Sequence, residues 1–118
     1  MGRLMCGEEP SRHTLVRLID DDGVGGPNSD DLLDVGFTDS DGAFSLNGSS
    51  FEFTNIDPEL HIYHDCNNLG KRCLREWVIR IPDNYLYDGI HPRRPMKLGT
   101  LNLELELENE ERECPKLE

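Results

Sequence analysis

Four cysteines in a chain of 118 residues constrain this protein more than any other feature of its sequence. An even number of cysteines in a small acidic chain is typical of disulfides, which persist in oxidising, extracellular settings. A zinc site is the main alternative, but zinc ligands come as closely spaced Cys-x2-4-Cys pairs with further ligands nearby. The cysteines here are spaced too widely for such pairs, at Cys6, Cys66, Cys73 and Cys114. The sequence therefore predicts disulfides and a secreted protein.

A short loop, residues 67–72, separates a strand pattern that ends at Cys66 from another that begins at Cys73. A hairpin with that loop would bring the two α-carbons into the range of roughly 4.4–6.8 Å that a disulfide requires. The spacing therefore predicts a Cys66–Cys73 bridge. The two remaining cysteines then form a Cys6–Cys114 bridge, which joins the first strand to the end of the chain.

Size and charge limit the organisation and the partners of the chain. At 13.5 kDa, residues 1–118 are the size of one domain, which buries roughly 65% of its unfolded surface. Met1 and the final Leu117-Glu118 are expected to be residues added by cloning. The net charge of −12 repels the phosphates of nucleic acid and excludes that partner. No run of about 18 apolar residues occurs, so no transmembrane segment is expected.

Alternation of apolar and polar residues with period two dominates the chain, as expected of half-buried antiparallel strands. It occurs at residues 14–18, 60–63, 77–81 and 101–108. In the last stretch every odd position is leucine and every even position is polar. The apolar positions are even before Gly99 and odd after it, which predicts a β-bulge at that glycine.

Turn signals separate these strand patterns. Residues 22–30 are an acidic, glycine-rich loop, residues 38–42 are typical of a tight hairpin, and residues 82–87 favour one short helical turn. Short strands separated by turns predict an all-β fold. We expect an antiparallel β-sandwich or open barrel of about seven to eight strands, stapled by disulfides.

Five stretches of the chain carry a family resemblance: residues 2–7, 30–34, 38–44, 62–66 and 99–103. Together they are similar to the nematode transthyretin-like family, and the resemblance implies a secreted, transthyretin-like β-sandwich. One member of that family bridges phosphatidylserine on apoptotic cells to an engulfment receptor on phagocytes, and this chain resembles that member. The resemblance therefore implies a secreted adaptor of the same kind. An extracellular carrier of a small hydrophobic ligand is the alternative.

No enzymatic activity is expected. The enzymes in this wider group that hydrolyse 5-hydroxyisourate end in a Tyr-Arg-Gly-Ser motif, which this chain lacks. His61 and His64 are three positions apart on a strand pattern, so they face opposite sides and cannot share a metal. No serine lies in a Gly-x-Ser-x-Gly motif, and the cysteines are engaged in bridges.

Binding to anionic lipid requires a local basic patch or a bridging cation, because the protein as a whole is negative. Each lysine or arginine at an anionic surface contributes roughly 1 kcal/mol. Apolar residues beside an acidic loop are further candidates for contact with a bilayer. The candidates are Lys71, Arg72 and Arg75, then Arg93, Arg94 and Lys97, and the pair Leu32 and Leu33.

Loop aspartates provide the other route to a lipid headgroup, through a bound calcium ion. Calcium takes six to eight oxygen ligands, and the candidates here are Asp20, Asp22, Asp39 and Asp41. Their spacing matches no EF-hand, and solvated aspartates that favour turns are the competing interpretation. No other cofactor is expected. Asn47 begins an Asn-Gly-Ser sequon and is a candidate for N-glycosylation.

Overall fold

The computed structural model describes residues 1–20, 31–48, 57–82, 96–108 and 110–114, with the backbone alone described for Asp31. These residues form nine short strands and their turns, so the all-β expectation is confirmed. None of the described segments is a helix long and apolar enough to cross a membrane. The strands are β1 (Gly2–Cys6), β2 (Glu9–Pro10), β3 (Leu15–Asp20), β4 (Asp31–Phe37), β5 (Ala43–Phe44), β6 (Pro58–His64), β7 (Leu74–Arg80), β8 (Thr100–Asn102) and β9 (Glu111–Glu113).

Two sheets face each other as a sandwich. The larger sheet has five strands in the order β4-β3-β6-β7-β9, all antiparallel. In the smaller sheet β1 pairs with β2 and β5 antiparallel and with β8 parallel. The parallel β1–β8 pair departs from the purely antiparallel expectation.

Alternating side chains of both sheets fill the space between them. Val16 of β3, Ile62 of β6 and Trp77 of β7 point inward from the larger sheet and are at most 3% exposed. Leu4 of β1 and Leu103, which directly follows β8, meet them from the other side and are fully buried. Each fully buried leucine or valine of this kind contributes about 1.5–3 kcal/mol relative to an exposed one. The period-two patterns of β3, β6 and β7 therefore predicted the correct inner face.

The leucine-rich stretch at 101–108 is not one strand, and that prediction was wrong. The strand β8 ends at Asn102, whose side-chain Oδ1 accepts the backbone N–H of Glu104 at 3.1 Å. The N–H of Leu105 then bonds the carbonyl of Asn102 at 3.2 Å, which closes a turn. Leu105 is consequently 61% exposed, although Leu103 before it is buried. Gly99 has a left-handed backbone, with φ of 75°, immediately before β8.

The predicted hairpin at residues 38–42 is also wrong, because the two flanking strands belong to different sheets. β4 pairs with β3, and β5 pairs with β1. The turn between them crosses from one sheet to the other and is fixed by Gly42, which has φ of 80°. Its carbonyl accepts the N–H of Leu4 at 2.8 Å, and a Cβ at this position would collide with the carbonyl oxygen of Leu4.

The disulfides are Cys6–Cys66 and Cys73–Cys114, which overturns the predicted pairing. Cys66 is 4% exposed and points across the core to β1 in the opposite sheet. Cys73 lies beside Cys114 because β9 pairs with β7, with Leu74 opposite Glu113. The predicted hairpin is present, since β6 pairs with β7 and His64 lies opposite Arg75. The predicted bridge across it is wrong because Cys66 bonds to β1 and the C-terminal segment adds the edge strand β9 to β7.

Candidate functional site

The loop between β6 and β7, residues 66–73, is held at both ends by disulfides. Cys66 is bonded to Cys6 and Cys73 is bonded to Cys114. One end of the loop is therefore attached to β1 and the other to the C-terminal segment. We refer to residues 66–73 as the stapled loop. Because both ends are covalently fixed, its tip projects from a rigid base.

Inside the stapled loop, the side chain of Asn68 stabilises the loop through hydrogen bonds. It is 5% exposed, and its Nδ2 donates to the carbonyls of Cys73 at 2.8 Å and Lys71 at 3.2 Å. Its Oδ1 accepts a hydrogen bond from the guanidinium of Arg112. The buried amide therefore bonds three separate groups, which leaves the loop little freedom to change shape.

The tip of the stapled loop has an unusual backbone. Asn67, Leu69 and Gly70 all have positive φ, of 53°, 55° and 75°. Glycine and asparagine adopt this region readily, but leucine in it costs roughly 1–2 kcal/mol. Strained residues of this kind persist where their surroundings fix them, and they cluster at functional sites.

Leu69 is 88% exposed, which is far more than a leucine in a folded protein usually is. The next two charged residues, Lys71 and Arg72, are both exposed as well. The tip therefore presents one apolar side chain beside two cations on a rigid base. Lys71 and Arg72 were predicted from the sequence as lipid contacts, whereas Leu69 was not. The sequence does contain a signal for the exposure of Leu69. This leucine lies between Asn-Asn and Gly in the short segment between two cysteines, and no strand pattern there predicts its burial.

Arg75 was predicted to join this basic stretch at the surface, and that prediction was wrong. It is 2% exposed, and its guanidinium is enclosed beneath the loop. One nitrogen, Nη1, donates to the carbonyls of Cys66 at 2.7 Å and Leu103 at 2.9 Å. The other, Nη2, donates to the carbonyl of Leu105 at 2.7 Å. Arg75 thus holds the base of the stapled loop against the turn that comes after β8, and it is not available to a lipid.

Glu110 neutralises the buried charge of Arg75. Its Oε1 and Oε2 accept from Nη2 at 2.6 Å and from Nε at 2.8 Å, and its Oε1 also accepts from the indole N–H of Trp77 at 2.8 Å. The hydrogen bond from Arg75 is the largest cause that holds the pKa of Glu110 below its usual value. This bidentate pair is of the strong, geometrically specific kind.

His64 completes this buried group and does not have the surroundings of a catalytic base. Its Nδ1 accepts the N–H of Cys66 at 3.1 Å, and its ring packs edge-on against Trp77 at 5.8 Å. Burial, and then the nearby charge of Arg75, lower the pKa of His64 to about 4. His61 lies on the opposite face of β6, between carboxylates of Glu59 and Glu76, each 3.0 Å from a ring nitrogen. The prediction that the two histidines lie on opposite faces of their strand is therefore confirmed.

The other candidates for lipid contact lie outside the stapled loop. Leu32 is 57% exposed and Leu33 is half-buried on β4, at the edge of the larger sheet. Lys97 is exposed and lines a separate groove. Arg93 and Arg94 lie outside the described residues.

The calcium candidates differ in their surroundings. Asp20 is fully buried, its Oδ1 accepts the N–H of Asp57 at 2.9 Å, and its Oδ2 has no hydrogen-bond partner among the described residues. Asp39 and Asp41 are exposed and belong to the turn at Gly42, where backbone N–H bonds from Ala43 and Asp41 lower the pKa of Asp39. Across the described ranges, no three acidic, histidine or cysteine side chains form a group suited to a metal. Asp22 lies outside those ranges, so calcium binding remains a prediction.

The glycosylation candidate lies at the surface. Asn47 is exposed, and its backbone N–H donates to the side chain of Asp34 at 2.7 Å. Ser49 of the sequon lies outside the described residues. Glycosylation of Asn47 stays a prediction.

A second surface feature is an open groove of about 610 Å³ at the start of β1. Arg3, Lys97 and Asp39 contribute its charged groups, and Phe37 and Phe44 contribute aromatic rings. Phe37 is 59% exposed, whereas Phe44 is buried and forms part of the floor. The remaining lining residues are Met1, Gly2, Ala43, Ser45, Gly99 and Thr100. None of these residues belongs to the stapled loop.

Known proteins resemble this chain at the level of family and fold. The sequence profile of the Transthyretin-like family matches residues 1–82. Transthyretin-like protein 33 of Caenorhabditis elegans is 45% identical over 113 residues, which cover 96% of this chain and 78% of that protein. Transthyretin-like protein 5 of the same nematode is 41% identical over 113 residues, covering 96% of this chain and 80% of that protein.

One solved structure shares the sandwich fold. It is a 9R-lipoxygenase from Cyanothece PCC8801, with a TM-score of 0.53 and 21% identity, and the match covers 86% of this chain and 16% of that chain. At this identity the likeness concerns the fold alone. The family profile and the nematode relatives, in contrast, match the sequence over most of its length, and the chain therefore belongs to the Transthyretin-like family.

Proposed function

We propose that this protein is a secreted adaptor that binds phosphatidylserine exposed on apoptotic cells and links it to a receptor on phagocytes. The observation that carries the lipid half is the tip of the stapled loop, where Leu69 is 88% exposed beside the exposed cations Lys71 and Arg72. An apolar side chain inserted among headgroups, with cations at headgroup level, is a common means of attaching a protein to an anionic bilayer.

Two disulfides support secretion. Cys6–Cys66 and Cys73–Cys114 engage all four cysteines, and disulfides of this kind persist in oxidising compartments. They also serve the proposed binding directly. Because they fix both ends of the stapled loop, insertion of its tip requires little further ordering, and the entropic cost of binding is small.

The expected affinity of one loop is low. Burying the side chain of Leu69 contributes roughly 2 kcal/mol, and two cations contribute roughly 1 kcal/mol each. The sum of about 4 kcal/mol corresponds to millimolar binding, before the repulsion from a net charge of −12. Stable attachment therefore requires several copies on one membrane, or simultaneous contact with a receptor.

The receptor half requires a second surface, because one patch cannot hold both partners. We place it on β4, the edge strand of the larger sheet, where Leu32 and Val35 are 57% and 46% exposed. Phagocytes should then take up phosphatidylserine vesicles in the presence of the protein but not with Val35→Ser. That variant should still bind vesicles.

Sedimentation with vesicles tests the lipid half. We expect the protein to sediment with phosphatidylserine/phosphatidylcholine vesicles, in the presence of a chelator and at low salt, but not with phosphatidylcholine alone. Leu69→Ser and the double variant Lys71→Gln/Arg72→Gln should each reduce the bound fraction several-fold. Arg80→Gln is the matched control, because Arg80 is exposed and lies outside the loop, paired with Asp57.

Each of the other outcomes argues against this assignment. Binding that is lost on chelation would transfer the lipid site to calcium and the loop aspartates. Loss of binding with Leu32→Ser but not with Leu69→Ser would transfer it to β4. No binding to any anionic vesicle would remove the lipid half of the adaptor.

A carrier of a small hydrophobic ligand is the second candidate function, and the groove at the start of β1 favours it. Its volume of about 610 Å³ lies within the range of roughly 300–1,000 Å³ typical of small-molecule sites. This function is independent of the stapled loop.

A further inference from the structure

The groove at the start of β1 combines an apolar lining with two cations. The rings of Phe37 and Phe44 and the small side chain of Ala43 line it together with Arg3 and Lys97. A wholly apolar ligand would not use the cations, and a small inorganic anion would not use the rings. The combination suits a ligand that has both parts.

The shape of the groove depends on glycine residues, which have no side chain to fill it. Gly2 lies over the ring of Phe44, and a Cβ at Gly2 would approach that ring to 3.1 Å and Leu98 to 3.2 Å. Gly99 on the other side of the groove has no described neighbour within 4 Å of the corresponding position. A larger residue at Gly2 would therefore crowd the floor, whereas the present sequence leaves it open along the edge of the smaller sheet.

The cations of the groove remain available to a ligand. Arg3 and Lys97 are both exposed, and neither forms a salt bridge with another described residue. One carboxylate, that of Asp39, also lines the groove. Its Oδ1 accepts the backbone N–H groups of Asp41 and Ala43, each at 2.9 Å, so part of its charge is already compensated. The side chains that line the groove leave a positive excess in a protein that is otherwise strongly negative.

We propose that this groove binds a small anionic amphiphile, a carboxylate with a hydrocarbon body, with the carboxylate on Arg3 and Lys97 and the body along Phe37 and Phe44. The proposal gives the carrier hypothesis a ligand class. Arginine binds a carboxylate with two parallel hydrogen bonds, which are stronger than neutral ones. The hydrocarbon body covers the exposed ring of Phe37 and gains from burial of apolar surface.

Titration with dodecanoate, below its micelle concentration, tests this proposal. Calorimetry should show saturable binding of one equivalent, and dodecyltrimethylammonium, which has the same body and the opposite charge, should bind at least about 10-fold more weakly. Arg3→Gln and Lys97→Gln should each weaken dodecanoate binding by about 10-fold, as expected for a lost charge-assisted bond. Arg80→Gln, which changes an exposed arginine outside the groove, should have no effect.

A variant that changes no charge distinguishes binding in the groove from non-specific electrostatic attraction. Thr100 is exposed on β8 and lines the groove, so Thr100→Trp should block the hydrocarbon body and weaken dodecanoate binding. Backbone amide resonances give the location independently of any variant. We expect dodecanoate to shift those of Arg3, Phe37, Ala43 and Thr100.

Several results would overturn the proposal. They are equal binding of the anionic and cationic amphiphiles, no saturable binding, unchanged affinity in both Arg3→Gln and Thr100→Trp, or resonance shifts confined to the stapled loop. Leu69→Ser distinguishes the two proposals, because it should reduce vesicle binding several-fold and leave dodecanoate binding unchanged. Failure of either experiment therefore leaves the other intact.

Discussion

Arg75 and Glu110 form a bidentate ion pair beneath the stapled loop, with Nε to Oε2 at 2.8 Å and Nη2 to Oε1 at 2.6 Å. Their side chains are 3% and 12% exposed. The pair joins the start of β7 to the residue that precedes β9, and the remaining donors of Arg75 bond the carbonyls of Cys66, Leu103 and Leu105. One guanidinium thus organises the base of the loop.

Glu110→Gln should destabilise the protein strongly. Removing one partner of a buried ion pair leaves the other charge uncompensated, which costs about 3–5 kcal/mol. Urea unfolding should show a loss of this size in the free energy of unfolding. Glu106→Gln, at an exposed position of the same region, should change it by no more than about 0.5 kcal/mol. A loss of less than about 1 kcal/mol in Glu110→Gln would contradict the role given to the pair.

Stability should fall on acidification, because the pKa values of both His64 and Glu110 are lowered in the folded state. The pKa of His64 falls from its ordinary 6.5 to about 4 in the folded state, so between these values the unfolded chain binds more protons and stability rises with pH. The contribution is on the order of 3 kcal/mol near pH 7 and is lost between about pH 6.5 and 4. The lowered pKa of Glu110 adds a loss at lower pH, since its stabilisation disappears as pH falls through its folded pKa.

His64→Asn separates these two effects. The variant has no imidazole to titrate, so its free energy of unfolding should vary less than that of the wild type between pH 7 and pH 5. Below pH 4.5 both proteins should lose stability, because both retain Glu110. Equal pH dependence of the two proteins between pH 7 and pH 5 would contradict the buried, neutral state of His64.

Non-reducing peptide mapping should find Cys6 linked to Cys66 and Cys73 linked to Cys114. In the loop-entropy account each bridge contributes about 4 kcal/mol, because each closes a large loop of chain. Replacing Cys73 and Cys114 together by serine should therefore lower the free energy of unfolding substantially. A Cys66–Cys73 linkage in the folded protein would contradict the anchoring of the stapled loop to two separate parts of the fold.

The sequence predicted the features that depend on local periodicity. Alternation placed Val16, Ile62 and Trp77 on the inner face, because successive side chains on a strand point to opposite sides of the sheet. It failed at 101–108, where the side chain of Asn102 caps a turn and Leu105 leaves the core. Alternation reports which residues a strand would bury, and it does not report where the strand ends.

Features that depend on distant partners were not predictable in this way. A basic residue near Lys71 and Arg72 was expected at the surface, but Arg75 is buried because carbonyls and a carboxylate from residues 103–110 surround it. Those partners are far away in the chain. The disulfide pairing failed for the same reason, since Cys73 meets Cys114 only after β9 has joined the larger sheet.

Insertion of the loop tip into an anionic bilayer is the central claim, and a tryptophan at position 69 tests it most directly. The chain has one tryptophan, Trp77, which is 3% exposed and gives a constant background. In Leu69→Trp, phosphatidylserine vesicles should shift the emission to shorter wavelength, and lipids brominated near the headgroup should quench it. Leu32→Trp, at an exposed position on β4, should show neither change. No shift and no quenching at position 69, or the same changes at position 32, would contradict the account.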